Sequence, residues 1–84
     1  MKSAKEIFEL NGYEIDEQNE KEILYKKKWI EMGMETTYWV SFDLRFKLID
    51  YFMIYENTNM STSHSIDTDL LQAINKQVEE LGWK

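Results

Sequence analysis

The sequence predicts an α+β domain of order α-β-β-β-α, a three-stranded antiparallel sheet with two helices on one face. Two observations carry this reading. Short helices stand at both ends and close alike, in Leu10-Asn11-Gly12-Tyr13 and in Leu81-Gly82-Trp83. Between them, the block from Glu22 to Glu56 alternates as strands do, yet carries large apolar groups on both faces. The 84 residues make a single domain, 1–84, with room for one sheet-and-helix core.

Ser3-Ala4-Lys5-Glu6 has capping-box spacing, so a helix starts there and buries Ile7 and Phe8, with Leu10 a further candidate. Asn11-Gly12 stops it, and Tyr13 falls where the apolar contact of a Schellman motif belongs, against Phe8. From Glu14 to Glu22, five carboxylates face Lys21 alone, and their repulsion predicts a solvated connection. Glu14-x-Asp16 lacks the glycine and the ligand spacing of a calcium loop.

Ile23 to Ile30 reads as a strand with Ile23, Tyr25 and Trp29 on one side and Lys26 and Lys28 on the other. Lysines of this kind suit a sheet edge. Gly33 marks the first turn. The second and third strands run from about Thr36 to Phe42 and from about Lys47 to Glu56. A turn at Asp43-Leu44-Arg45-Phe46 sets Phe42 opposite Lys47 and Val40 opposite Ile49. One face then holds Tyr38, Val40, Phe42, Ile49, Tyr51 and Met53. The other holds Trp39, Ser41, Leu48, Asp50, Phe52 and Ile54, and it stays rich in apolar groups even if the register slips by one. The polar stretch Asn57 to Ser65 reads as a loop or a ragged extra strand. Asp67 then caps a last helix whose apolar stripe is Leu70, Leu71, Ile74, Val78 and Leu81, with Gln72, Asn75, Lys76, Gln77 and Glu79 on its wet side.

Composition narrows the function classes. Hydrophobic residues at 43% and aromatics at 14% are enough for a core, so wholesale disorder does not fit. No apolar run approaches a membrane span, and Lys2, Lys5 and Glu6 interrupt any signal-peptide core. The absence of cysteine excludes disulfides and thiolate chemistry, and it is compatible with a reducing cytoplasm. A net charge of −6 disfavours nucleic acid as a partner. The same charge suits solubility, and it leaves docking onto a basic surface open.

Catalytic, metal and cofactor residues are not expected. His64 is the sole histidine, flanked by Ser63 and Ser65, and neighbours in an extended loop point apart rather than meeting as a triad. The chain has no G-x-S-x-G elbow, phosphate-cradling glycine loop or H-E-x-x-H pair. Asp67 and Asp69 are explained by the helix N-terminus. Trp39 carries two readings: a residue packed under a helix or against the sheet edge, or an interface anchor. The expected partner-binding set is Trp39, Leu48, Phe52 and Ile54, with Trp29 and Trp83 as core or cap contacts.

With the capped first helix and the tail Leu71-Gln72-Ala73-Ile74-Asn75-Lys76-Gln77-Val78-Glu79-Glu80-Leu81-Gly82-Trp83 laid out, the chain resembles a group of small uncharacterised phage and prophage proteins of Gram-positive bacteria. The resemblance covers nearly the whole chain, rests on helix stops and core positions, and brings no activity with it. It implies a viral origin and a host-cytoplasm setting. The expectation is a non-enzymatic phage protein that occludes a host protein, such as a nuclease or other defence component. The alternative is a self-associating accessory protein whose patch serves a homodimer.

Overall fold

The computed structural model describes residues 2–55, 61–63 and 66–83. Its elements run α1 (Ala4–Leu10), β1 (Glu14–Gln18), β2 (Glu22–Glu31), β3 (Met34–Asp43), β4 (Leu48–Tyr55), β5 (Ser61–Ser63) and α2 (Thr68–Leu81). The strands form one antiparallel sheet in sequence order, β1-β2-β3-β4-β5. The class and the two terminal helices agree with the sequence reading, but the sheet is wider than three strands. It has four strands of five residues or more and a three-residue fifth. His64 and most of the stretch read as a loop lie outside the described residues.

The added strand β1 corrects the reading of Glu14 to Glu22 as a solvated connection. Within the segment alone the carboxylates repel, whereas β2 supplies the opposite charge. Glu14 lies opposite Lys26, and Asp16 Oδ1 accepts from Lys26 Nζ at 3.0 Å. Ile15 turns inward against the core. Asn19 then closes the turn, its side-chain oxygen accepting from the Lys21 and Glu22 amides at 2.7 and 3.1 Å.

Both helix termini form as their sequences require. Ser3 and Glu6 complete the capping box, and the Tyr13 amide donates to Phe8 O at 2.9 Å beyond Gly12, at φ +89°. Asp67 accepts from the Leu70 amide at 2.8 Å. Past Gly82, the Trp83 amide donates to Val78 O at 3.1 Å. The buried stripe of α2 is Leu70, Ala73, Ile74 and Gln77, and Leu71 is half exposed. Gln77 is therefore a core residue and not part of the wet side. It is buried because its Oε1 accepts the Tyr25 hydroxyl at 2.7 Å.

One core lies between the helices and one sheet face. Phe8 of α1 and Leu70, Ala73 and Ile74 of α2 join Ile23, Tyr25, Val40 and Phe42 of the sheet in a single cluster. Phe8 stacks on Tyr25 with ring centroids 3.8 Å apart, and Trp83 packs near Phe42 at 6.3 Å.

The turns set the register. Met32 and Gly33 join β2 to β3 with φ of +54° and +79°, the pattern of a two-residue type I′ hairpin. Leu44 to Lys47 joins β3 to β4, with Asp43 Oδ1 accepting from the Arg45 and Phe46 amides at 2.9 and 3.2 Å. Partial desolvation would raise the Asp43 pKa, but these amides and the Arg45 charge outweigh it and hold the carboxyl below its usual range. The loop extends to Lys47, at φ +57°, so Phe42 pairs with Ile49 and Val40 with Tyr51. The register expected from the sequence is thus off by two. Because side chains alternate with period two, every residue keeps its predicted face.

Met32 is 96% exposed and holds a left-handed conformation without glycine's freedom. Met32→Asn, which suits that position before Gly33, should stabilise the fold by about 0.5–1 kcal/mol and raise the melting temperature by several degrees in a calorimetric scan.

Candidate partner-binding surface

Since both helices lie over the Tyr25 face, neither covers the opposite side of the sheet. There, Trp39 of β3 pairs directly with Phe52 of β4, and Thr37 with Ile54. The Trp39 and Phe52 rings stack with centroids 6.4 Å apart and planes 18° from parallel. Trp39, Phe52 and Ile54 are each half-buried and form a continuous apolar strip. Leu48 shares this face but is separated from Phe52 by Asp50. It pairs with Asp43 at the far end and is 55% exposed. Three of the four expected residues are brought together, and Leu48 is an outlier.

Charges border the strip, and the ion pairs among them are what sequence reasoning missed. Lys26 lies opposite Trp39 in the neighbouring strand and pairs with Asp16 at 3.0 Å. The hydrogen bond it donates to that carboxylate, with the carboxylate's charge, holds the Lys26 ammonium above its usual pKa. Lys28 approaches Glu35 at 3.8 Å. The alternation of lysines along Ile23 to Ile30 was the available signal, but it pointed to edge protection. The missing information was that β1 brings Asp16 beside Lys26.

Trp39 adds a second peculiarity. Its indole Nε1 is shielded from solvent and has no hydrogen-bond acceptor among the described residues. An unmet buried donor costs about 1–3 kcal/mol. Phenylalanine would fill a purely structural position without that cost.

The helix side contains a cleft of about 310 Å³ between the sheet and the start of α2. Tyr13, Trp29 and Tyr51 line it, with Lys27 Nζ 5.6 Å from the Tyr13 ring centroid and 5.8 Å from that of Trp29. Burial, reinforced by a hydrogen bond with Tyr51, pushes the Tyr13 hydroxyl pKa upward. Trp29 is 50% exposed, so it is a wall of this cleft and not the core contact expected from the sequence. The ring faces already hold a cation of the same chain, which satisfies the cluster internally.

Among the described residues, no group of three or more His, Asp or Glu side chains is arranged to hold a metal ion. No helix there is long and apolar enough to cross a membrane. What the fold and surface define is a small α+β domain with a helical layer on one face and an aromatic strip on the other. No family model, curated protein or solved structure matches the chain.

Proposed function

We propose that this is a non-enzymatic binding protein of phage origin that occludes a host protein in the host cytoplasm. A nuclease or other defence component is the kind of target in view, and neither nucleic acid nor a membrane is its partner. The observation that carries this reading is the Trp39–Phe52–Ile54 strip on the sheet face that neither helix covers. Stacked aromatics at the centre of a surface, bordered by charge, have the composition of an interface hot spot. The unmet Trp39 donor supports the reading, because that position tolerates a cost a packing residue need not carry. Asp16, Glu35 and Asp50 near the strip, together with the net charge of −6, favour a target with a basic rim. The resemblance to phage and prophage proteins supplies the setting.

The test is affinity capture from host lysate with three baits: the natural chain, Trp39→Asp, and Leu71→Asp on the exposed side of α2. A specific target should be retained by the first and third baits and lost by the second. With the purified target, Trp39→Asp should cost about 2 kcal/mol or more of binding energy. Equal retention by a folded Trp39→Asp protein sinks the assignment, and circular dichroism establishes that the variant is folded.

A further inference from the structure

The β2–β3 hairpin extends beyond the cover that β1 gives to β2. Strand β1 pairs with Ile23 to Lys26, so from Lys27 onward β2 has, among the described residues, a strand neighbour on the β3 side alone. The type I′ turn fixes which backbone groups are free on this stretch. With Met32-Gly33 as a two-residue loop, Glu31 and Met34 form the closing hydrogen-bonded pair. Hydrogen-bonded pairs then alternate, so Trp29 and Lys27 aim their N–H and C=O groups at β3, while Lys28 and Ile30 aim theirs away. The same parity holds further down β2. Lys26 meets β1 at Glu14, and Glu22 O accepts from the Asn19 amide on that side at 3.0 Å.

This free edge is flanked by apolar groups on both faces: Trp29 at 50% exposure, Ile30 at 70% and Met34 at 49%. An apolar edge strand with open backbone groups is a template for pairing with another strand. We infer that its occupant is a second copy of this chain, joined by antiparallel pairing of the two β2 edges about a two-fold axis at Trp29.

Charge selects this register. Centring the axis on Lys28 sets Lys28 against Lys28, and like charges directly opposite are destabilising. Centring it on Ile30 sets Lys28 against Met32, which is already in the turn. Centring it on Trp29 sets each Lys28 against the other copy's Ile30. Both outward-facing residues of each copy are then paired, giving two hydrogen-bonded pairs of two bonds each. The lysines do not bar the approach, because each is engaged within its own chain. Lys27 lies over Tyr13 and Trp29, and Lys28 lies beside Glu35. A two-fold axis perpendicular to the sheet keeps equivalent faces together. The dimer therefore presents both Trp39 strips on one side and all four helices on the other.

Sedimentation velocity over a dilution series of the full chain should show a dimer dissociating to monomer. Ile30→Pro removes an outward N–H that β3 does not use, so the monomer's ladder is kept. This variant should weaken the dimer by at least about tenfold, since one donor is lost from each copy. The Trp29–Trp29 position is a non-hydrogen-bonded pair, where Cα atoms come within disulfide reach. In this cysteine-free chain, Trp29→Cys should oxidise to a linked dimer far faster than Leu71→Cys. A natural chain that is monomeric at every concentration overturns the inference. So does a folded Ile30→Pro protein that dimerises normally, or a Trp29→Cys protein that links no faster than the Leu71→Cys control. The strip lies on β3 and β4, one strand in from the β2 edge, so loss of the dimer with single-site target binding retained would leave the partner assignment intact.

Discussion

Phe8→Ala is expected to remove a large share of the stability of the fold, costing about 3–5 kcal/mol out of the ~5–15 kcal/mol available to a domain of ordinary stability. Phe8 is fully buried at 0% exposure. Its ring stacks on Tyr25 at 3.8 Å and meets Tyr13 and Phe42 edge-on at 5.7 and 6.1 Å. Alanine leaves a void bounded by rigid rings on three sides, and rings held in a sheet and a helix cap cannot collapse into it. The seven residues of α1 are too few for an independent helix, so its docking depends on this side chain and Ala4. Urea titration followed by circular dichroism measures the loss. Leu10→Ala, on the exposed side of the same helix, should stay within about 0.5 kcal/mol of the natural chain. A Phe8→Ala midpoint close to that control would mean that α1 is not held by its aromatic anchor.

The limits of α1 were legible in the sequence because helix caps are written locally, but Leu10, a candidate for burial there, is 68% exposed. Ser3, Glu6 and Gly12 define a helix within ten residues, and Asp67 and Gly82 do the same at the other end. The faces of the strands were also legible, since period-two alternation survives an error of two residues in register. The register itself was not, because Lys47 takes the left-handed position at φ +57° without a glycine to announce it. Strand β1 was hidden for a different reason. Its carboxylates look self-repelling until Lys26 arrives from another strand, and that pairing is not a local property.

The candidate surface divides along the same line. Parity placed Trp39, Phe52 and Ile54 together, and they lie together. Leu48 shares their parity, but four residues along a strand separate it from Phe52, too far for contact. The helix-side cleft draws Tyr13, Lys27, Trp29 and Tyr51 from separate segments. No spacing rule connects those positions, and each had a plausible local role as a cap, core or edge residue. Once the sheet order is known, Trp29 changes from an expected core residue to the centre of an open edge.

The buried pair Tyr25–Gln77 gives the second large effect, and its sign can be worked out from two directions. Tyr25 is 1% exposed, and its hydroxyl donates to Gln77 Oε1 at 2.7 Å. Gln77→Leu preserves the shape of the stripe on α2 but strands the hydroxyl in an apolar core, so it should cost about 1–3 kcal/mol. Adding Tyr25→Phe removes the stranded group, and the double variant should recover a large part of that loss. A double-mutant cycle should therefore return a coupling of about 1 kcal/mol. Simple additivity would show that the hydrogen bond contributes nothing beyond packing. The same hydroxyl makes the fold sensitive to base. Burial, followed by the charges of Glu80 and Glu9, moves the Tyr25 pKa from 10.0 up to about 12. The folded state thus holds the neutral phenol more strongly than the unfolded chain does. This contribution is fully present below pH 10 and is lost as pH rises through 10 towards 12. Stability measured by urea titration at stepped alkaline pH should fall across that window in the natural chain. The fall should be shallower in Tyr25→Phe, which has no phenol at this position to ionise.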